Sequence, residues 1–271
     1  MRPHSLPWID PNRPLIVGVL GGMGPMATVE AFRRITVATP GIIDQDHLHV
    51  VVDSDPSIPD RTNALIAGSR SPLPGLVASA RRLAVAGAGI ICMPCNSAHA
   101  FFKPLQADSP VPIVHMPEET ASVVAGQDLR QLGLLATAGT VASGVYRDAF
   151  LRYGLELVTP DAAGQRRVSE SIARIKAGQL DEALGALLPV AHAFGRSGSR
   201  MLILGCTEIS LIGPQLAAVG TTLDALQIMA ERTVDYALGR SRLASIYPPR
   251  PPARDERAPG LGTSAGAADG P

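Results

Sequence analysis

Short apolar runs alternate along this chain with amphipathic segments, and Gly-rich turns join the two. Leu15 to Leu20, Leu48 to Asp53, Gly89 to Met93, Ile113 to His115, Leu132 to Ala136 and Arg200 to Leu204 read as strands. Residues 28–39, 74–86, 140–153, 164–177, 180–194 and 224–238 between them carry helical periodicity. Alternation of this kind with short joints predicts an α/β fold of parallel sheets covered by helices on both faces. A weak repeat runs through it: VGVLGGMGP leads to MPCNSAH, and LGLLATAGT leads to LGCTEIS. Cys95 lies 80 residues after Leu15, and Cys206 lies 74 after Leu132. Two pseudo-symmetric lobes are expected, each with a parallel sheet flanked by helices. One would span 14–117 plus 218–239 and the other 118–217, with the active site in the cleft between them. The segment 247–271, rich in Pro, Gly, Ser and Ala, has too little apolar content to order itself.

Composition removes several classes of function. With 271 residues and 46% hydrophobic content the chain can bury a substantial core. Its 24 basic and 24 acidic residues give no net field to attract nucleic acid or an anionic membrane. The 11 residues from Leu83 to Met93 form the longest apolar stretch, where a membrane span needs about 20, and Met1 to Asn12 is too polar for a signal peptide. The expectation is a cytoplasmic protein, with neither nucleic acid nor membrane as partner. Three cysteines argue for reduced thiols rather than a disulfide framework.

Cys95 and Cys206 each fall where a strand gives way to a helix, the end of a parallel sheet at which ligands bind. Facing lobes would point both thiols into one cleft. Helix N-termini lower a thiol's pKa, so this placement favours thiolates. Asn96, Ser97, Thr207 and Glu208 open the two helices, where side chains and backbone N–H groups can hold a carboxylate. Glu208 is also suited to an ammonium group. Two thiols in one cleft could act as a pair of acid-base groups on opposite sides of a bound ligand.

The segments VGVLGGMGPMAT, DQDHLHVVVDSDPSIPDRT, MPCNSAH, LLATAGTVASGVY, IKAG and LGCTEISL together resemble the pyridoxal-independent aspartate/glutamate racemases, over Pro14 to Gly239. That resemblance implies two α/β lobes with one catalytic cysteine from each, Cys95 and Cys206, and no cofactor or metal. Some relatives carry Thr at the first cysteine position, and many carry Thr where Ser97 stands. The resemblance also places charged residues of IPDRT and RIKAG at the site, making Arg61 and Lys176 candidates to grip a substrate carboxylate, with Met23 and Thr140 as further binding residues. It implies a small amino acid as substrate, aspartate or glutamate, and is compatible with a homodimer. Other carbon-acid enzymes of the same superfamily, of hydantoin racemase or arylmalonate decarboxylase type, are the nearest alternative.

Other readings use the same residues. Cys92 and Cys95 form a CxxC that with His99 and Cys206 suggests zinc or redox chemistry, but Cys92 sits in the apolar run GAGIICM and reads as core. Gly22, Gly24 and Ala27 match a dinucleotide-binding GxGxxA, yet the acidic residue expected about 20 positions on is missing. A non-enzymatic amino-acid sensor would not require two thiols. His99 reads as a cap or packing residue, and His47 and His49 as structural.

Overall fold

The structure, a computed structural model, describes residues 13–241 apart from 128, 130, 197 and 200; the expected tail 247–271 lies outside them. The first half of the chain runs β1 (Val17–Gly21), α1 (Pro25–Ala38), β2 (Val50–Ser54), α2 (Arg61–Ile66), α3 (Leu73–Val85), β3 (Ile90–Cys92), α4 (Phe102–Asp108) and α5 (Met116–Val124). The second half runs β4 (Gln131–Ala136), α6 (Ala138–Ser143), α7 (Val145–Leu151), β5 (Glu156–Val158), α8 (Ala162–Lys176), α9 (Leu180–Arg196), β6 (Leu202–Gly205), α10 (Gly213–Leu216), β7 (Thr222–Asp224) and α11 (Ala225–Ala237).

Two parallel sheets result, ordered β2-β1-β3 and β5-β4-β6-β7. In each, the first strand of the half lies central, the second pairs on one side and the third on the other: Val17 faces both Val50 and Ile90, and Gly133 faces both Val158 and Leu202. The chain therefore reverses its direction of winding between β1 and β3, and again between β4 and β6. A parallel sheet opens a crevice for ligands at such a reversal, beyond the carboxyl ends of its strands. The central strands are buried on both faces, which is why they read as continuous apolar runs.

One core cluster joins the two halves, with Val17 and Val19 of β1, Leu132 and Leu134 of β4, and Ile203 of β6 closing on Ile35, Met116, Phe150 and Met229. The helices α1, α5, α7 and α11 thus fill the space between the sheets. Leu76, Ala80 and Leu83 of α3 pack the outer face of the first sheet, and Val168, Ile172 and Leu187 of α8 and α9 the outer face of the second.

Several boundaries differ from expectation. The helix expected over 140–153 breaks at Gly144, whose φ of +69° ends α6 and starts α7. Ile113 to His115 contributes only one bridge, Ile91 to Ile113. The segment 218–239, expected with the first lobe, divides: β7 extends the second sheet, while α11 packs on α1, α5 and β3.

Candidate active site

Each crevice carries one cysteine. Cys95 follows β3 and leads into a 3₁₀ turn, Asn96–Phe101; Cys206 directly follows β6 and precedes a second one, Ile209–Ile212. Both side chains are buried and both line the same small cavity between the lobes. From the first lobe come Met23, Asp60, Arg61, Thr62, Cys95, Asn96 and Ser97, and from the second Thr137, Lys176, Cys206, Thr207 and Glu208. Thr140 stands behind this wall: its hydroxyl is 2.9 Å from that of Thr137, which also accepts the Thr140 N–H at 3.1 Å. Asp60, Thr62 and Thr137 are not among the residues expected from the sequence, although Asp60 and Thr62 flank Arg61 in IPDRT and Thr137 lies three residues before Thr140 in ATAGT.

The turn after β1 brings Met23 into place. Gly22 has φ of +88°, its N–H donates to Thr28 Oγ1 at 2.8 Å, and any side chain there would collide with the Asp55 backbone. The Cys206 turn is pinned from below by a part-buried network. Arg34 Nη1 donates to Asp224 Oδ2 at 2.6 Å, and Asp224 Oδ1 accepts from Ser210 Oγ at 2.7 Å. Arg34 joins α1 of the first lobe to the cysteine-bearing segment of the second.

Arg61, buried, donates from Nη1 to the carbonyls of Ile58 and Pro59, both at 3.0 Å, and from Nη2 to that of Met23 at 3.1 Å. Its Nε has no partner, and neither has Asn96 Nδ2. Lys176, half exposed at the end of α8, reaches Glu208 Oε1 at 3.8 Å. The cavity thus holds a cation bonded to backbone carbonyls and two buried donor atoms in want of an acceptor.

The expectation of a lowered thiol pKa fails at Cys206. Burial first, and then the Glu208 carboxylate beside it, hold that thiol well above its ordinary value. Its Sγ donates to Glu208 Oε2 at 3.1 Å, and the four-residue 3₁₀ turn that follows is too short to build the dipole of a full helix. Cys95 Sγ lies 3.7 Å from Ser97 Oγ.

Cys92 is wholly buried in the core between the sheets, which pushes its thiol up to about 12, while Cys95 belongs to the outer cluster and the cavity. The two cysteines of the CxxC therefore do not converge. His99 packs with Phe102 and His115; burial lowers it to about 3, so the ring is neutral and Nε2 donates to the Met93 carbonyl at 3.2 Å. His47 and His49 lie at the opposite, amino end of the first sheet. Among the described residues no helix is long and apolar enough to cross a membrane.

Two α/β lobes that share one cavity beyond the carboxyl ends of their parallel strands define an α/β protein with a small-molecule site. Residues 20–233 match the family model of the Asp/Glu/hydantoin racemases, and the chain belongs to that family. It is 24% identical over 229 residues to the broad specificity amino-acid racemase RacX of Bacillus subtilis, covering 82% of this chain and 98% of that one. Its fold matches Picrophilus torridus aspartate racemase with a TM-score of 0.75 and 32% identity, over 86% of this chain and 97% of that one. A putative Asp/Glu racemase from Yersinia pestis matches with a TM-score of 0.70 and 26% identity, over 83% and 99%.

Proposed function

We propose that the protein racemises an acidic amino acid, aspartate or glutamate, by passing protons between Cys95 and Cys206 on opposite faces of Cα, without a cofactor. The observation that carries this reading is that the two thiols, one from each lobe, line a single cavity. One thiolate removes the α-proton while the opposite thiol delivers its own, which inverts the centre. Cys206, bonded as a donor to Glu208, stands ready to deliver. A substrate ammonium group pairing with Glu208 would draw the carboxylate's charge away from Cys206, and so ease formation of its thiolate in the reverse direction.

The preference for an acidic substrate rests on Arg61. A buried guanidinium whose partners are main-chain carbonyls can accept a carboxylate, and the partnerless Arg61 Nε and Asn96 Nδ2 each gain an acceptor when one binds. Relatives named for aspartate and for broad specificity support an amino-acid substrate. At about 30 Å³ the cavity has room for a water or two, less than an amino acid occupies.

The test is a chiral assay of purified protein, without added cofactor, against a panel of L- and D-amino acids and a 5-substituted hydantoin. Racemisation of aspartate or glutamate in both directions is expected. Turnover of the hydantoin alone, or of non-acidic amino acids in preference, would overturn the substrate assignment.

A further inference from the structure

Resting on that reading of the site, we infer that Tyr146 is a positioning residue: its hydroxyl, reaching across from the second lobe, fixes the Asn96 amide so that Nδ2 is presented to a substrate carboxylate. Tyr146 belongs to α7 and is 1% exposed, its ring filling the core between the sheets beside Phe150. Its hydroxyl donates to Asn96 Oδ1 across 50 residues of chain, with Thr120 close by. Asn96 immediately follows Cys95 and lines the cavity.

An amide has an accepting end and a donating end. With its oxygen occupied by the Tyr146 hydroxyl, Asn96 turns the other end away, and that Nδ2 is buried with no partner. A buried donor left unpaired is costly, whereas one that gains a carboxylate on binding contributes to affinity and to the choice of ligand. Freed from Tyr146, the amide could rotate and set its oxygen against the substrate's carboxylate. The bond spans the two lobes, so a residue of the second lobe sets the orientation of a binding residue of the first. Burial and the nearby Asp224 and Cys206 hold the Tyr146 phenol well above its ordinary value, and it therefore donates throughout the working range of pH.

The experiment is a double-mutant cycle of Tyr146→Phe and Asn96→Ala, read as kcat/KM in both directions, with Asn96→Asp alongside. Tyr146→Phe keeps the ring and its packing and should lower kcat/KM about tenfold, mainly through KM. In the Asn96→Ala background the same change should cost less than about twofold, because there is no amide left to orient. Asn96→Asp keeps an acceptor for Tyr146 but sets a carboxylate against the substrate, and should raise KM at least as much as Asn96→Ala. Equal losses from Tyr146→Phe in both backgrounds would reduce Tyr146 to a packing residue and overturn the inference, leaving the racemase assignment intact. A wild-type protein inert toward all amino acids would remove both.

Discussion

Cys206 and Glu208, two residues apart, set the protonation state of one face of the site. Burial and the carboxylate both oppose the thiolate, and the 3.1 Å bond holds the proton on sulfur until something competes for Glu208. Glu208→Gln keeps the shape and removes the charge, so the Cys206 pKa should fall. In the direction that needs Cys206 protonated, the alkaline limb of kcat/KM should then move to lower pH. A pH profile of the variant whose alkaline limb stays where the wild type's lies would show that the carboxylate does not govern this thiol. The sequence could place Glu208 at the site because it directly follows a cysteine and a threonine in LGCTEIS, but its effect on Cys206 was not legible. Helix N-termini lower thiol pKa values as a rule; here burial and a side chain outweigh a 3₁₀ turn.

At the scale of elements, the cavity depends on α2 and α6, one from each lobe, lying close together. The point of contact is Gly139, where an added Cβ would come within 2.8 Å of Thr62 Cα and 2.9 Å of its hydroxyl. Gly139→Ala should push α2 away and move Arg61 with it, raising KM for the acidic substrate and costing about 1–3 kcal/mol of stability. An unchanged KM with an unchanged melting temperature would show that the two helices yield freely. Glu119 on α5 makes a second inter-element contact, with the Tyr236 hydroxyl of α11 donating to it at 2.8 Å. Burial pushes its carboxyl up from 4.5 to about 7. The folded protein then holds a proton that the unfolded chain has lost, and this group's stabilising contribution, full below pH 4.5, disappears as the pH rises through 7. Melting temperatures should therefore fall across that window in the wild type relative to Glu119→Gln, which keeps an acceptor for Tyr236 but has no proton to lose. Parallel curves would contradict the shift. Long periodic segments such as α3, α8, α9 and α11 were legible within a few residues. The three-residue strands β5 and β7 were not, being too short to show a period. Helix α5 was missed although Pro117, Glu118 and Glu119 fill its first turn, because the apolar residues before it suggested a strand.

In the molecule as a whole, a repeat legible as two cysteine-bearing motifs becomes two sheets that share a 2-1-3 order in their first three strands, the second sheet adding β7, and the core between them turns two crevices into one cavity. Of the residues picked out in the sequence, Cys95, Cys206, Met23, Arg61, Asn96, Ser97, Lys176, Thr207 and Glu208 come together there, and Thr140 stands one layer behind. What sequence could not supply was orientation: Tyr146 reads as an ordinary core aromatic until the lobes fold onto each other. The central claim is that protons reach Cα from two separate thiols, and it is tested most directly by following hydrogen in D2O. Pure L- or pure D-substrate is converted by a few per cent, and both enantiomers are examined by mass spectrometry. The thiol that delivers carries solvent-derived deuterium before turnover, while the abstracted proton sits on the other cysteine, the thiolate that took it, and can return only to the face it left. Product should therefore carry deuterium from the first turnovers while the remaining substrate stays largely protiated, in both directions. Early product that keeps its original α-proton would mean that one base serves both faces, and would contradict the account.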